Sequence, residues 1–334
     1  MDIAVLGLGL IGGSALRAFA AAGHRVFGYD ADPATRATAR TAAARAPSGE
    51  RWQIAGSVAD AVRGSAGRAA EVAVVAVPLP AVGTVFAELA AAGYAGLVTD
   101  VTSVKAVVRD LAAEHLHAGG QALAGYVGGH PMAGRETSGF AAADPALFRG
   151  CAWVLCVEPE QTRIADWMEL AALITTLGAR VVPATAGDHD RAVASVSHVP
   201  HLLAAAIAAT AASDPLALTL AAGSFRDGTR VAASRPELVA AMCGGNAAAV
   251  GAALDRVLAD LTAGRTALHS IDPIGALATW LAPGCTARTA WPPAPGDTTE
   301  LPADAEVLLR LGRVGGWITE VAADRRTVTA IRPA

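Results

Sequence analysis

The chain has 334 residues, 53% of them apolar and 17% charged, with a formal net charge of −4. That length suits about two domains, and the apolar content supports a sizeable core, which excludes a disordered chain. A mildly acidic chain with 4% aromatic residues lacks the basic face and stacking platforms of a nucleic-acid binder, so the expected partners are small molecules and the chain itself. In chain order, Ile3–Leu6 reads as a strand entering a glycine loop, Gly13–Ala22 as a helix closed by Gly23, and Arg25–Tyr29 as a strand ending at Asp30. Glu71–Val77 has the near-continuous β-branched pattern of a strand buried on both faces, stopped by Pro78 and Pro80. Gly96–Asp100, Ala124–Gly129 and Ala152–Val157 read as further strands with helical stretches between them. This alternation predicts an α/β, doubly wound parallel sheet over residues 1–160.

After Pro159 the texture changes. Thr162–Leu177 reads as a helix, Ala179–Val182 as a last strand, and Asp188–Ala212 as a long helix that Pro200 should kink. Leu216–Ala222, Pro236–Met242 and Ala247–Leu261 are further helices, so residues 161–269 read as an all-α domain. Residues 270–334 read as a linker, rich in Pro and Gly over Pro283–Pro302, and a small β-rich tail. Its expected strands are Val307–Leu311 and Trp317–Ile331, the latter turning at Ala323–Arg325. No cationic segment precedes the first apolar run, so no signal peptide is expected. The longest apolar helix candidate, Leu202–Ala212, is roughly half the ~20 residues that span a bilayer. Cys151, Cys156, Cys243 and Cys285 form no CxxC pair and read as reduced, buried thiols of a cytoplasmic protein.

The loop Gly7-Leu8-Gly9-Leu10-Ile11-Gly12 follows the first strand and opens the first helix. In a dinucleotide fold the three glycines permit the tight turn, the approach of a pyrophosphate and close strand–helix packing. The N–H groups of Leu10, Ile11 and the helix start would face the phosphates. Asp30, 18 residues beyond Gly12, stands where a carboxylate accepts both ribose hydroxyls and repels a 2′-phosphate, which favours NAD over NADP. Ligands in such sheets lie outside the carboxyl ends of strands, which adds Val77, Pro78 and Asp100 to the expected cofactor contacts.

Further polar segments sit where core residues would be cheaper. Asp100-Val101-Thr102-Ser103-Val104-Lys105 ends one strand and starts a helix, and reads either as a ligand loop or as a cap made by Thr102 or Ser103. In Gly128-Gly129-His130-Pro131-Met132-Ala133-Gly134-Arg135-Glu136 the glycines leave the His130 imidazole open to a cleft, which suits a general base. His189-Asp190 and Ser197-His198-Val199-Pro200-His201 lie on the long helix. His189 and His201 are just over three turns apart, roughly 18 Å, too far for a shared metal. His198 and His201 stand three apart, but Pro200 between them and the lack of nearby carboxylates speak against a metal site, so none is expected. Ser224-Phe225-Arg226-Asp227-Gly228-Thr229-Arg230 places arginine forks, suited to a carboxylate, in an otherwise apolar helical stretch.

The series GLGLIGGS, DVTSVK, GGHPMAGRE, HDRAVASVSHVPH and FRDGTR, in this order and spacing, resembles the prephenate dehydrogenase family from about Asp2 to Leu261. The resemblance implies a Rossmann-type NAD domain, a helical domain forming a homodimer, and oxidative decarboxylation of prephenate or arogenate in tyrosine biosynthesis. It implies that His130 takes the hydroxyl proton and that Ser103 orients His130 or that hydroxyl. Arg230 would bind a substrate carboxylate, His201 would position the substrate, and Glu136 and Asp227 would order the polar network. The active site is expected between the domains. Val239 stands in the stretch where the family carries a tryptophan, Ser224 stands where a glycine is common, and the tail from Ser270 lies outside the resemblance. Hydroxyacid and imine dehydrogenases of similar layout use a lysine base on the helical domain, and Lys105 is the sole lysine here. A non-catalytic NAD-binding sensor is the remaining alternative.

Overall fold

The structure is a computed structural model, and it describes residues 1–64, 68–116, 123, 125–135 and 137–334. The first elements are β1 (Asp2–Leu6), α1 (Leu10–Ala21), β2 (Arg25–Tyr29), α2 (Pro33–Arg45), β3 (Gln53–Ile54), α3 (Val58–Val62), β4 (Val72–Val75) and α4 (Val82–Ala91). There follow β5 (Leu97–Asp100), α5 (Ala106–His115), β6 (Tyr126–Val127), β7 (Gly129–Pro131), β8 (Ala152–Cys156), α6 (Ile164–Thr175) and β9 (Arg180–Ala184). The helical run comprises α7 (Ala186–Val193), α8 (Val199–Ala212), α9 (Pro215–Leu220), α10 (Gly223–Thr229), α11 (Pro236–Gly245), α12 (Ala247–Leu268) and α13 (Pro273–Thr289). The chain ends with β10 (Pro295–Pro302), α14 (Ala305–Arg313), β11 (Trp317–Val321) and β12 (Thr327–Pro333).

The first sheet has the order β3-β2-β1-β4-β5-β6, and its strands pair in parallel. Every β1 residue is buried. Ile3 and Val5 enter one apolar cluster, while Ala4 and Leu6 enter the other, so this strand is covered on both faces. The order doubles back at β1 and β4, which puts a crevice at their carboxyl ends.

The doubly wound sheet was expected to run on through residues 152–182, but those strands form a second sheet, β10-β12-β11-β9-β8-β7. β8 and β9 run parallel, whereas β7 and β11 are antiparallel to their neighbours. The tail therefore completes a sheet begun more than a hundred residues earlier. Trp153, Trp167, Leu308 and Ile318 share one apolar cluster with Ile3 and Phe19. The expected strand Val307–Leu311 is part of helix α14, because Leu308, Leu309 and Leu311 bury one face and the Asp304 carboxylate accepts the Val307 N–H at 3.0 Å.

By compactness the chain divides into residues 1–189 with 297–332, and residues 190–296 with 333–334. This differs from the division 1–160, 161–269 and 270–334 read from sequence. Residues 161–189 and most of the tail pack with the nucleotide fold, because α6, β9 and β11 are in contact with one another. In the second unit the expected linker beginning at Pro283 is partly helix α13, which runs through Pro283. Trp280 of this helix packs against Gly264 of α12 and donates its indole N–H to the Asp260 carbonyl at 3.1 Å.

The disturbance expected at Pro200 takes the form of a π-helical turn, Ala194–His198, just ahead of it. Proline has no N–H to donate back along the helix, so the ladder is interrupted there. Counted through this turn, Ala186–Ala212 is a 27-residue helix, long and apolar enough by length and composition alone to cross a membrane. That corrects the half-length estimate made from Leu202–Ala212. Its first turns carry Asp188, His189, Asp190 and Arg191, groups that hydrocarbon disfavours. The thiols also differ from expectation: Cys156 is buried, Cys151 and Cys243 are intermediate, and Cys285 is exposed.

Candidate active site

Gly7 has φ +98° and sits so close to the Ala76 carbonyl that a Cβ would lie 2.4 Å from its oxygen. A Cβ on Gly12 would lie 1.9 Å from the Gly7 oxygen, so these two glycines are required by packing. Gly9 is different, since a Cβ there meets no atom within 4 Å and the loop backbone is open on that side. The first intrahelical bond joins the Gly13 N–H to the Gly9 carbonyl at 2.8 Å. The N–H groups of Leu10, Ile11 and Gly12 precede it and remain directed out of the helix start. Asp30 stands beside the loop. One carboxylate oxygen accepts the Leu8 N–H at 2.7 Å and the other accepts the Asp32 N–H at 2.9 Å. Arg36 donates to the Asp30 and Ala31 carbonyls and lies over the Tyr29 ring. Val77 abuts Gly7, and Pro78 is exposed at the end of β4. This open, donor-lined loop beside an oriented carboxylate fits a dinucleotide.

Asp100, expected to face a cofactor, is fully buried. One oxygen accepts from the Thr102 N–H at 2.9 Å, from the Thr102 hydroxyl at 2.6 Å and from the Lys105 ammonium. The other accepts from the Tyr126 hydroxyl at 2.7 Å and the Gly129 N–H at 3.4 Å. Burial, reinforced by the Asp100 charge, pushes the Tyr126 hydroxyl well above its ordinary range, so it stays a donor. Lys105, also buried, donates to the Gly129 carbonyl at 2.5 Å. Asp100 and Lys105 thus anchor β7, and the residue after Gly129, to the carboxyl end of β5. Neither Thr102 nor Ser103 caps α5, whose cap position is Lys105.

His130 follows in β7 and is half-buried. Its Nδ1 lies 2.8 Å from Nε2 of His189, with the rings edge-to-face at 5.0 Å and 73°. His189 stands on α7 and is 3% exposed. This pairing was not foreseen: the expected partner, Ser103, is half-buried in the turn after β5 and makes no hydrogen bond among the described residues. Glu136 lies outside the described residues.

In the second unit, His201 of α8 packs against the turn that starts at Arg230. It bonds the Val231 backbone, while its Nδ1, shielded from solvent, finds no partner among the described residues. Burial holds the His201 imidazole below its usual range, the Val231 bond opposes this, and the Arg230 guanidinium lowers it further. Arg230 and Asp227 are both exposed. His198 is buried, with Nδ1 3.3 Å from the Asn246 amide, which itself donates to the Asp190 carbonyl at 2.7 Å.

Residues 13–183 match the family model for the prephenate dehydrogenase nucleotide-binding domain, and residues 185–282 match that for the dimerization domain of the same family. The cyclohexadienyl dehydrogenase of Zymomonas mobilis is 33% identical over 287 residues, which is 81% of this chain and 89% of that one. A prephenate dehydrogenase of Lactococcus lactis is 39% identical over 140 residues, 41% of this chain and 36% of that one, so the match spans about a third of the relative. A solved structure from Corynebacterium glutamicum, named as a candidate prephenate dehydrogenase, is 34% identical with a TM-score of 0.77, covering 87% of this chain and 90% of that one. The chain belongs to the prephenate dehydrogenase family.

Proposed function

We propose that the chain catalyses oxidative decarboxylation of prephenate to 4-hydroxyphenylpyruvate and CO2, with NAD as the hydride acceptor, in tyrosine biosynthesis. The observation that carries this reading is His130: a half-buried imidazole whose Nδ1 meets the His189 ring, tied to the end of β5 in the unit that bears the nucleotide loop. The cofactor is NAD, which would be held by the N–H groups of Leu10, Ile11 and Gly12 and by Asp30, and it supplies the hydride sink. The Asp30 carboxylate repels a 2′-phosphate and so disfavours NADP. Val77 and Pro78 line the same edge.

His130 takes the proton of the ring hydroxyl at Nε2 as negative charge develops on that oxygen. Ser103 orients the hydroxyl. Arg230 binds a substrate carboxylate through its fork. His201, neutral beside Arg230, positions the substrate as a hydrogen-bonding group without adding charge, and Glu136 and Asp227 complete the polar network. Loss of CO2 aromatises the ring and makes the step irreversible. The working form is a cytoplasmic homodimer. The second unit supports this with exposed apolar side chains, Leu216, Leu220, Ile271 and Ile274 among them, a surface that a second copy would bury.

NADH formation, followed at 340 nm with prephenate and arogenate against NAD and NADP, tests the reading. Turnover with prephenate and NAD is expected, and His130→Asn should abolish it and its acid limb. Preference for arogenate would move the error to the pocket around the substrate side chain. Binding of NAD without turnover on either substrate would refute the catalytic reading.

A further inference from the structure

His189 has no part in the mechanism above, yet its ring is the one that meets His130. Nδ1 of His130 and Nε2 of His189 are 2.8 Å apart, so one proton lies between them. The heavy atoms admit either direction of donation, and the proposed chemistry selects one. To accept a proton at Nε2, neutral His130 must carry its own proton on Nδ1 and donate it. His189 Nε2 is the acceptor in place.

We infer that His189 is a positioning residue for His130: it accepts the Nδ1–H of His130 and thereby keeps the Nε2 lone pair of His130 available for the substrate hydroxyl. The inference rests on the reading of His130 as the base. The His189 ring is held by more than its own burial. The first turn of α7 is fixed by the Ala186 N–H donating to Glu158 at 2.6 Å, the Asp188 N–H donating to the Thr185 hydroxyl at 3.0 Å, and the His189 N–H donating to the Thr185 carbonyl at 2.9 Å. Arg313 of α14 reaches Asp188 at 3.3 Å.

When His130 receives the hydroxyl proton it becomes an imidazolium, and its Nδ1–H bond to His189 strengthens. Two charged rings at this distance are excluded, so His189 stays neutral while His130 is charged. A neutral acceptor stabilises that charge less than a carboxylate would, which leaves the proton free to depart after each turnover. The ionisable groups on the elements around the pair are Asp188, Asp190 and Arg191 on α7, Glu158 beyond β8, and Arg313 on α14.

The test compares wild type, His130→Asn, His189→Leu and His189→Gln in full-length protein, reading kcat, KM and the pH profile of kcat. His189→Leu should lower kcat roughly 10- to 100-fold with KM changed less than about threefold, the scale of one hydrogen bond to a charged group. Its acid limb should move to lower pH, because the imidazolium has lost its acceptor. His189→Gln, whose amide oxygen can accept the same N–H, should recover most of the loss. If the leucine variant fails to fold, His189→Asn, too short to reach His130, replaces it. Equal activity in the glutamine and leucine (or asparagine) variants, or an unmoved acid limb, overturns the inference while a dead His130→Asn leaves the proposed reaction standing. Full turnover by His130→Asn overturns both.

Discussion

Gly9→Ala and Gly12→Ala, two changes in one loop, should have opposite effects on stability. Gly9 has φ −69° and ψ −159°, extended backbone that alanine adopts, and an added Cβ meets nothing within 4 Å. Removing glycine's extra freedom in the unfolded chain at such a site stabilises by about 0.4–1 kcal/mol, which raises Tm by about 1–3 °C. The same methyl group projects where a pyrophosphate has to approach, so NAD binding should weaken by roughly 10- to 100-fold, the loss of one charge-assisted bond. At Gly12 the Cβ would stand 1.9 Å from the Gly7 oxygen and 2.8 Å from the Ala76 Cβ. Backbone must then move, at a cost of about 1–3 kcal/mol or more, which lowers Tm by about 3–10 °C. Circular dichroism melting without cofactor, and NAD titration by tryptophan fluorescence, separate the two effects. A Gly9→Ala protein that melts as early as Gly12→Ala, or that binds NAD like wild type, would refute the reasoning.

Three further outcomes are expected. Lys105→Met leaves the buried Asp100 carboxylate without its counter-charge and should cost about 3–5 kcal/mol in urea unfolding; a loss under about 1 kcal/mol would show the pair is dispensable. Leu308→Ala, in the tail yet fully buried, should cost about 2–5 kcal/mol, and an unchanged Tm would mean the tail is not part of the core. His201 is held below 6.5 by burial, so the native state binds fewer protons than the unfolded one. Its contribution is intact above pH 6.5 and is lost as pH falls through the depressed native value. Urea midpoints across that range should show the decline, and His201→Gln should flatten it.

The nucleotide fold was legible because β1 and β4 are buried on both faces and leave continuous apolar runs, and because the glycine loop is local. The second sheet was not, since the pairing of Ile318 with Val181 joins segments that no periodicity links. Helix α14 was misread as a strand because a short apolar run bears both readings until its charged neighbours Glu306, Arg310 and Arg313 are placed on the opposite face. The role of Asp100 was within reach: an acid followed by Thr102 and by the sole lysine, Lys105, has the spacing of a self-satisfied turn. The His130–His189 pair was beyond it, because the two residues are 59 positions apart in the chain and their rings meet only in the folded first unit.

The position of β11 bears on how the polypeptide matures. Synthesis proceeds from the amino end, so β9 and the apolar face of α6 emerge long before the strand and helix that cover them. Until residues 297–332 leave the ribosome, the first unit carries an open sheet edge, and the whole of the intervening helical segment is made before that edge can close. Closing so long a loop is slow, and an exposed edge invites pairing with neighbouring chains. Nascent or prematurely terminated chains should therefore depend on chaperones far more than the finished chain does.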